Sequence, residues 1–188
     1  MTQPVDTDAP SLQRYRSFLY LLARAHLKPH AGNNIEASDL VQQTLLDAHA
    51  RRDQFRGTSE AQLGAWLKQI LANNLADAIR HQGRAKRDVS RQRPLDAAID
   101  DSFCRAESWL AGSQTSPSQF VAKKEELLSL ADAIAKLPAA QQEAVILHHL
   151  QGLKLAEVAA QMQRTEPAVA GLLYRGIKQL HKMLENTE

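Results

Sequence analysis

Asn73, Asn74, Arg80, Arg84 and Arg87 lie in one stretch where side-chain amides give way to cations. That combination suits contact with base edges and with the phosphates beside them. A loop of small and polar residues, Gly57-Thr58-Ser59-Glu60, precedes it, with Phe55 and Trp66 on either side. Free backbone groups in such a loop can hydrogen-bond an unstacked base, and nearby aromatic rings can stack or wedge against it. Core packing is the competing reading for Trp66. Asn73 is the candidate for a base edge, while Arg80, Arg84 and Arg87 would follow the backbone.

A second candidate surface lies near the C-terminus. Two helical runs meet at Gln163-Arg164 in the form of a helix-turn-helix, with Ala159 as the small residue at the crossing and Val169 as the apolar anchor. Thr165 is placed to cap the second helix, and Pro167 falls in its first turn, where a missing N–H costs little. Arg164, Thr165, Ala170, Gly171, Tyr174, Arg175 and Lys178 are its candidate DNA contacts. As a base reader this helix is poor: Ala170-Gly171-Leu172-Leu173-Tyr174 precede the first cation, Arg175. Either its DNA contacts are few and weak, or a protein covers the Leu172, Leu173, Tyr174 face. Plain helical packing also accounts for the periodicity.

Constellations for catalysis are missing. The chain has no His-Glu-x-x-His, no cysteine cluster, no phosphate-cradling glycine loop and no Gly-x-Ser-x-Gly. His148 and His149 are adjacent, so on an α-helix they point about 100° apart and share no metal face. Asp39 and Asp47 read as capping and solvated groups. No enzyme, metal or cofactor is expected.

The elements that must position these residues are helical. Ala, Leu, Gln and Arg recur, aromatic content is 5%, and period-two apolar alternation is absent. Ser11 is a candidate cap for a helix carrying Leu12, Tyr15, Leu19 and Leu22, broken by Pro29, Gly32, Asn33 and Asn34. Ser38 or Asp39 would cap a second helix running to about Arg52. A third spans about Ala61 to His81, and others about 120–137, 139–150, 154–162 and 166–184. Pro138 ends one helix or opens the next. Between them, Arg91 to Pro117 reads as an interdomain linker in which Phe103, Trp109 and Leu110 interrupt the polarity, so that part of it would dock on a surface.

Charge is nearly balanced, at +2, and argues for no partner by itself. Its distribution says more: Arg80, Arg84, Lys86, Arg87, Arg91 and Arg93 crowd one stretch against Asp88. Such a block can neutralise phosphates, although a solvated helix end has the same composition. The lone Cys104 excludes an internal disulfide framework and fits a reducing cytosol. The N-terminus lacks a signal peptide's basic and apolar regions, and no apolar run nears the ~20 residues that span a bilayer. The expectation is a cytoplasmic protein with no membrane span.

The strings Ser38-Asp39-Leu40-Val41-Gln42-Gln43-Thr44-Leu45-Leu46-Asp47-Ala48, Phe55-Arg56-Gly57, Ala65-Trp66-Leu67, Ile70-Leu71-Ala72-Asn73-Asn74-Leu75-Ala76-Asp77 and Arg80 resemble regions 2.2 to 2.4 of the extracytoplasmic-function (group IV) sigma factors of bacterial RNA polymerase. Leu137-Pro138, Gly152-Leu153, Glu157-Val158-Ala159 and Val169 are similar to landmarks of region 4. The resemblance covers nearly the whole chain and is weakest in the linker.

It implies an all-α protein: a disordered tail over 1–10, a region 2 bundle over 11–90, a flexible linker over 91–119 and a region 4 helix-turn-helix domain over 120–186. Asp39, Leu40, Gln42, Gln43, Leu46 and Asp47 would bind the β′ clamp helices of core RNA polymerase. Phe55, Gly57, Thr58, Ser59, Trp66, Asn73, Arg80, Arg84 and Arg87 would capture the minus-ten element of promoter DNA. Region 4 would sit on the β-flap and read the minus-thirty-five element. An anti-sigma partner follows from the resemblance alone, and a compact, self-occluded free form is expected.

The chain departs from the family at Gln142 and His148, where arginine is usual, and at Ala170 and Leu172, where cations are usual. Weakened minus-thirty-five reading is the consequence. The runner-up is a sigma-like regulator that binds polymerase or a partner protein without efficient initiation. An all-helical scaffold with no DNA role is the third reading.

Overall fold

The computed structural model describes residues 12–27, 35–82, 97–102, 104–106 and 120–185, and all regular structure among them is helical. A 3-10 turn, Leu12–Tyr15, leads into α1 (Arg16–His26). Helix α2 is Ala37–Ala50, and α3 is Glu60–Gln82 after a short 3-10 turn, Arg52–Gln54. Helical residues 97–102 and 104–106 form α4. Then come α5 (Phe120–Ala135), α6 (Ala139–Val145), α7 (Leu155–Gln161) and α8 (Glu166–Glu185). The tail over 1–10, the Ser11 cap, the breakers Pro29 to Asn34, the cations Arg84, Lys86, Arg87, Arg91 and Arg93, and Phe103, Trp109 and Leu110 lie outside the described residues.

Helices α1, α2 and α3 pack on one another as a bundle. Leu19, Leu22, Val41, Leu67, Leu71 and Leu75 are almost wholly removed from water at its centre. Helix α2 begins at Ala37, with Glu36 in extended backbone as its cap residue. Ser38 and Asp39 therefore stand in the first turn and do not cap it, a correction to the sequence reading. Asp39 still suits the positive end of the helix dipole. Helix α3 begins at a reciprocal cap: the Gln62 N–H donates to Ser59 Oγ (3.2 Å), and Gln62 Oε1 accepts from the N–H groups of Ser59 (3.2 Å) and Thr58 (2.7 Å).

The second module packs α8 against α6, α7 and α5. Pro138 opens α6, its carbonyl accepting from the N–H groups of Gln141 and Gln142. Past Val145 the helix widens into a π-turn, Ile146–Leu150, closed by Gln151 N–H on the Ile146 carbonyl (3.0 Å). Gly152 follows at φ +74°, a left-handed conformation that favours glycine. In the α7–α8 turn Gln163 takes φ 54°, and the Arg164 N–H bonds the Ala159 carbonyl (2.9 Å). Ala159 and Val169 are buried as the helix-turn-helix reading requires, and Thr165 Oγ1 accepts from the Ala168 N–H (3.4 Å). A Cβ at Gly176 would lie 3.4 Å from Val145 Cγ2, an ordinary van der Waals contact, so α8 packs on α6 at a distance that an alanine there would also allow.

The modules touch. Helix α1 packs on α5 and on the end of α6, and Phe18, Leu21, Leu22, Leu127, Leu130, Ala131, Ile134 and Leu150 line a small apolar gap between them. Helix α4 adds Ile99, Ser102 and Ala106, all buried. Part of the expected linker is thus an ordered helix with an inward face, and the i, i+3, i+7 spacing of those residues is its physical reason.

Burial lowers the pKa of His149, with help from neighbouring His148, and that of His26, with help from Arg105, in each case from 6.5 to about 4. Between those values the unfolded chain takes up protons that the folded chain refuses. Stability therefore falls as pH drops from about 6.5 towards 4, then levels off. Urea midpoints at pH 7 and pH 5 check this, and His149→Gln is expected to narrow the difference between them.

Candidate nucleic-acid and partner interface

Helix α2 turns Asp39, Gln42, Gln43 and Leu46 outward, with Leu46 56% exposed despite its size. A singly exposed leucine is ordinary on a protein surface and assigns no partner by itself. Leu40 faces the core instead and supports this surface from beneath. Asp47 is half-buried and accepts from Gln43 Nε2 (2.8 Å) and Asn74 Nδ2 (3.0 Å). Asn74 Nδ2 also reaches Thr44 Oγ1 (3.3 Å), whose hydroxyl donates to the Leu40 carbonyl (2.7 Å). Asn74 thus ties α2 to α3, while its neighbour Asn73 is exposed.

On α3, residues 66, 69, 73, 77 and 80 follow helical spacing, so Trp66, Gln69, Asn73, Asp77 and Arg80 share one face. Arg80 pairs with Asp77 on that face. The Trp66 ring is half-buried and packs against Phe55, with centroids 5.1 Å apart and planes at 34°. One side of Trp66 is therefore packed, as the core reading has it, and part of the residue reaches solvent. Gly57 is held under the Phe55 ring, where a Cβ would collide with that ring and come within 2.8 Å of Gln62 Cβ. The loop differs from expectation in one respect. Its Thr58 and Ser59 N–H groups are already bonded to Gln62, so they are not free donors for a base. The Ser59-x-x-Gln62 spacing is a capping-box signature and carries that signal in the sequence. Arg84 and Arg87 lie outside the described residues.

On the second module Arg164, Thr165, Ala170, Tyr174, Arg175 and Lys178 are exposed, and Gly171 is half-buried beneath the Arg175 guanidinium. Tyr174 is 69% exposed, but Leu172 and Leu173 turn into the core. The apolar recognition face expected from the sequence therefore does not form. Its removal takes away the observation behind the partner-covered regulator, and Leu172 does not stand where a DNA-facing cation would.

Gln142 and His148 also point inward. Gln142 Nε2 donates to the Ile134 carbonyl (3.1 Å), and His148 Nδ1 to the Leu153 carbonyl (2.8 Å). In the π-turn the His148 and His149 rings come edge to face at 4.8 Å, nearer than ideal α-helical spacing suggests. Among the described residues no three His, Cys, Asp or Glu side chains gather as a metal site would need.

The Sigma-70 region 2 family matches residues 12–85, and the Sigma-70 region 4 family matches residues 127–180. The RNA polymerase sigma factor CarQ of Myxococcus xanthus is 31% identical over 161 residues, covering 83% of this chain and 79% of CarQ. The chain belongs to the extracytoplasmic-function sigma factors. The ECF RNA polymerase sigma factor BldN of Streptomyces coelicolor is 32% identical over 153 residues, or 81% of this chain. The chain spans about half of BldN's length, 52%. A solved complex of the sigma factor RpoE with the anti-sigma factor NepR from Bartonella quintana aligns at 24% identity and TM-score 0.36, covering 93% of this chain and 94% of that one. The two family matches coincide with the α1–α3 bundle and with α5–α8, so this sigma factor carries its two outward stripes on separate modules.

Because Gly57 underlies the Phe55 ring, Gly57→Ala is expected to displace Phe55 from Trp66. Tryptophan emission should shift and its quenching by iodide should rise, with helix content measured by circular dichroism unchanged.

Proposed function

We propose that this chain binds core RNA polymerase and directs transcription initiation from promoters of its own, acting in the cytoplasm and without catalysis by its own side chains. The observation that carries this reading is the pair of stripes: Trp66, Asn73 and Arg80 on α3, and Ala170, Tyr174 and Lys178 on α8. Residues 11–90 serve as the polymerase-binding and minus-ten module, 91–119 as the linker, and 120–186 as the minus-thirty-five module, with residues 1–10 as a tail.

Asp39, Gln42, Gln43 and Leu46 meet the β′ clamp helices, with Leu40 and Asp47 shaping that surface. Phe55, Gly57, Thr58 and Ser59 frame the pocket for an unpaired minus-ten base, with Trp66 beside it and Asn73 on its edge. Arg80, Arg84 and Arg87 follow the phosphates. Binding energy for the unpaired strand shifts the melting equilibrium, so no reactive group is required. Region 4 sits on the β-flap and reads the minus-thirty-five element weakly, since the exposed face of α8 carries no cation before Arg175. RpoE forms a complex with the anti-sigma factor NepR, and a protein inhibitor of this kind is proposed for this chain as well.

Run-off transcription with bacterial core polymerase and a genomic promoter pool tests the reading. Specific new transcripts are expected, and Asn73→Ala should reduce them about tenfold, in line with removal of one base-edge hydrogen bond. Arg175→Ala with Lys178→Ala should lower the slope of log affinity against log salt by about one for each phosphate no longer neutralised. Core binding without transcripts would point to the sigma-like regulator, and absence of both would end the assignment.

A further inference from the structure

Several polar contacts bridge the two modules. Arg105 Nε donates to the Leu150 carbonyl (2.7 Å), a second Arg105 nitrogen donates to Ser102 Oγ (3.2 Å), and Ser102 meets His26 Nε2 (3.1 Å). Arg14 forks onto both carboxylate oxygens of Glu125 (2.6 and 2.7 Å) and also reaches Glu60 (3.1 Å). The contact between α2 and α3 is of another kind, since it joins the two helices that carry the working surfaces of the first module. Asn74 Nδ2 has two hydrogens and two acceptors on α2, Asp47 Oδ2 (3.0 Å) and Thr44 Oγ1 (3.3 Å). Thr44 is wholly buried and gives its own hydroxyl hydrogen to the Leu40 carbonyl (2.7 Å). The other Asp47 oxygen accepts from the exposed Gln43 amide (2.8 Å).

We propose that Asn74 is a positioning residue for promoter opening. Through Asp47 and Thr44 it locks the rotation of α3 against α2, so that Asn73 meets an unpaired base in a fixed relation to polymerase-facing Gln42, Gln43 and Leu46. This role rests on the reading of the two surfaces given above and names the residue that couples them. Asn74 itself is half-buried and turned towards α2, so it touches neither ligand. Hydrogen counting makes asparagine specific here. Its amide nitrogen serves both acceptors at once, whereas aspartate offers no donor and leucine offers neither donor nor acceptor. Asp47 and Thr44 keep these partners only with an amide at position 74.

Rotation is the motion that matters. Asn73 and Asn74 are successive positions about 100° apart on one helix, so fixing the direction of one fixes that of the other. A side-chain tip lies about 5 Å from the helix axis. A turn of about 20° would carry the Asn73 amide about 2 Å, beyond the tolerance of a base-edge hydrogen bond. Buried Val41, Leu45, Leu71 and Leu75 hold the bundle together, but apolar burial is non-directional and resists such a turn weakly. A polar group whose donors and acceptors are matched admits one register.

The test uses the full chain assembled with core RNA polymerase on a promoter found by run-off transcription, with 2-aminopurine in the minus-ten element reporting strand opening. Asn74→Asp removes the donor and sets two carboxylates against each other. Affinity for core is expected to stay within about twofold of wild type, while opening of the duplex promoter slows about tenfold, the scale of one unmatched polar group. On the same promoter with a mismatched, already open minus-ten element, transcription should return to within about twofold of wild type, since no strands remain to be parted. Asp47→Asn added to Asn74→Asp exchanges donor and acceptor, and at saturating core it should recover most of the opening rate. A misfolded variant would lose core binding and the open promoter as well, and the exchange would not rescue it. Equal losses of core affinity and opening overturn the positioning role, as do unchanged duplex opening in Asn74→Asp or no recovery on exchange. A wild-type chain that opens no promoter sinks the sigma reading and the positioning role with it, so the two failures are distinguishable.

Discussion

Helix α1 is buried over an arc that a surface helix does not reach. Phe18, Leu19, Leu21, Leu22, Ala23 and Ala25 are all inside, and at about 100° per residue they cover about 200° of its circumference. An amphipathic helix resting on one core needs an apolar stripe of about half that width. The excess is filled by α5: Phe18, Leu21 and Leu22 face Leu127, Leu130 and Ile134, leaving the side of Leu19 and Ala23 to α2 and α3. The packing of the first module and its contact with the second therefore depend on the same eleven residues.

This sharing explains how the polar contacts are arranged. Arg14, Glu60 and Glu125 are partly exposed, and ion pairs of that kind add little stability because water screens them. Their geometry sets orientation more than strength. The Ser102, His26 and Arg105 group sits deeper, and there an unmatched donor or acceptor costs more than a matched one gains. Burial and the nearby Arg105 charge keep His26 neutral, so its Nε2 can accept from Ser102 while Arg105 donates to the same hydroxyl. Each partner is complete only when α1, α4 and the end of α6 are together.

Much of this is legible from residue pattern. The helices, the α7–α8 turn at Gln163-Arg164, the Thr165 cap and the Val169 anchor all follow from local chemistry, and local chemistry is what sequence displays. The second face of α1 is not, because Phe18 and Leu21 read as ordinary members of a helical run until a second core is known to exist. Helix α4 is hidden by the acids and proline around it, which outweigh the Ile99, Ser102, Ala106 spacing. Leu172 and Leu173 read as DNA-facing because their neighbours Ala170 and Tyr174 lie on that side. Successive helix positions differ by about 100°, so one solvent-facing residue says little about the next. The Ser59-x-x-Gln62 box stands in plain view, but small polar residues around it give the stretch the composition of a loop.

The Asp47–Asn74–Thr44 contact has a bearing on the proposed capture of an unpaired DNA strand. On the proposed reading, polymerase meets α2 and the unpaired strand meets α3, so the two helices must keep their relative position while both surfaces are loaded. Asn74 bonds a residue at the polymerase edge, and Asn73 beside it faces outward. Helix α3, at 23 residues, is about 34 Å long at 1.5 Å per residue, long enough to carry that placement from the Phe55 loop to Arg80. A base captured against such a frame is bound without reordering the protein, so little binding energy is lost to entropy. The surplus is then available to hold the strands apart. Were α3 free to shift against α2, the same contacts would bind an unpaired base equally well but would hold it in no fixed relation to the polymerase.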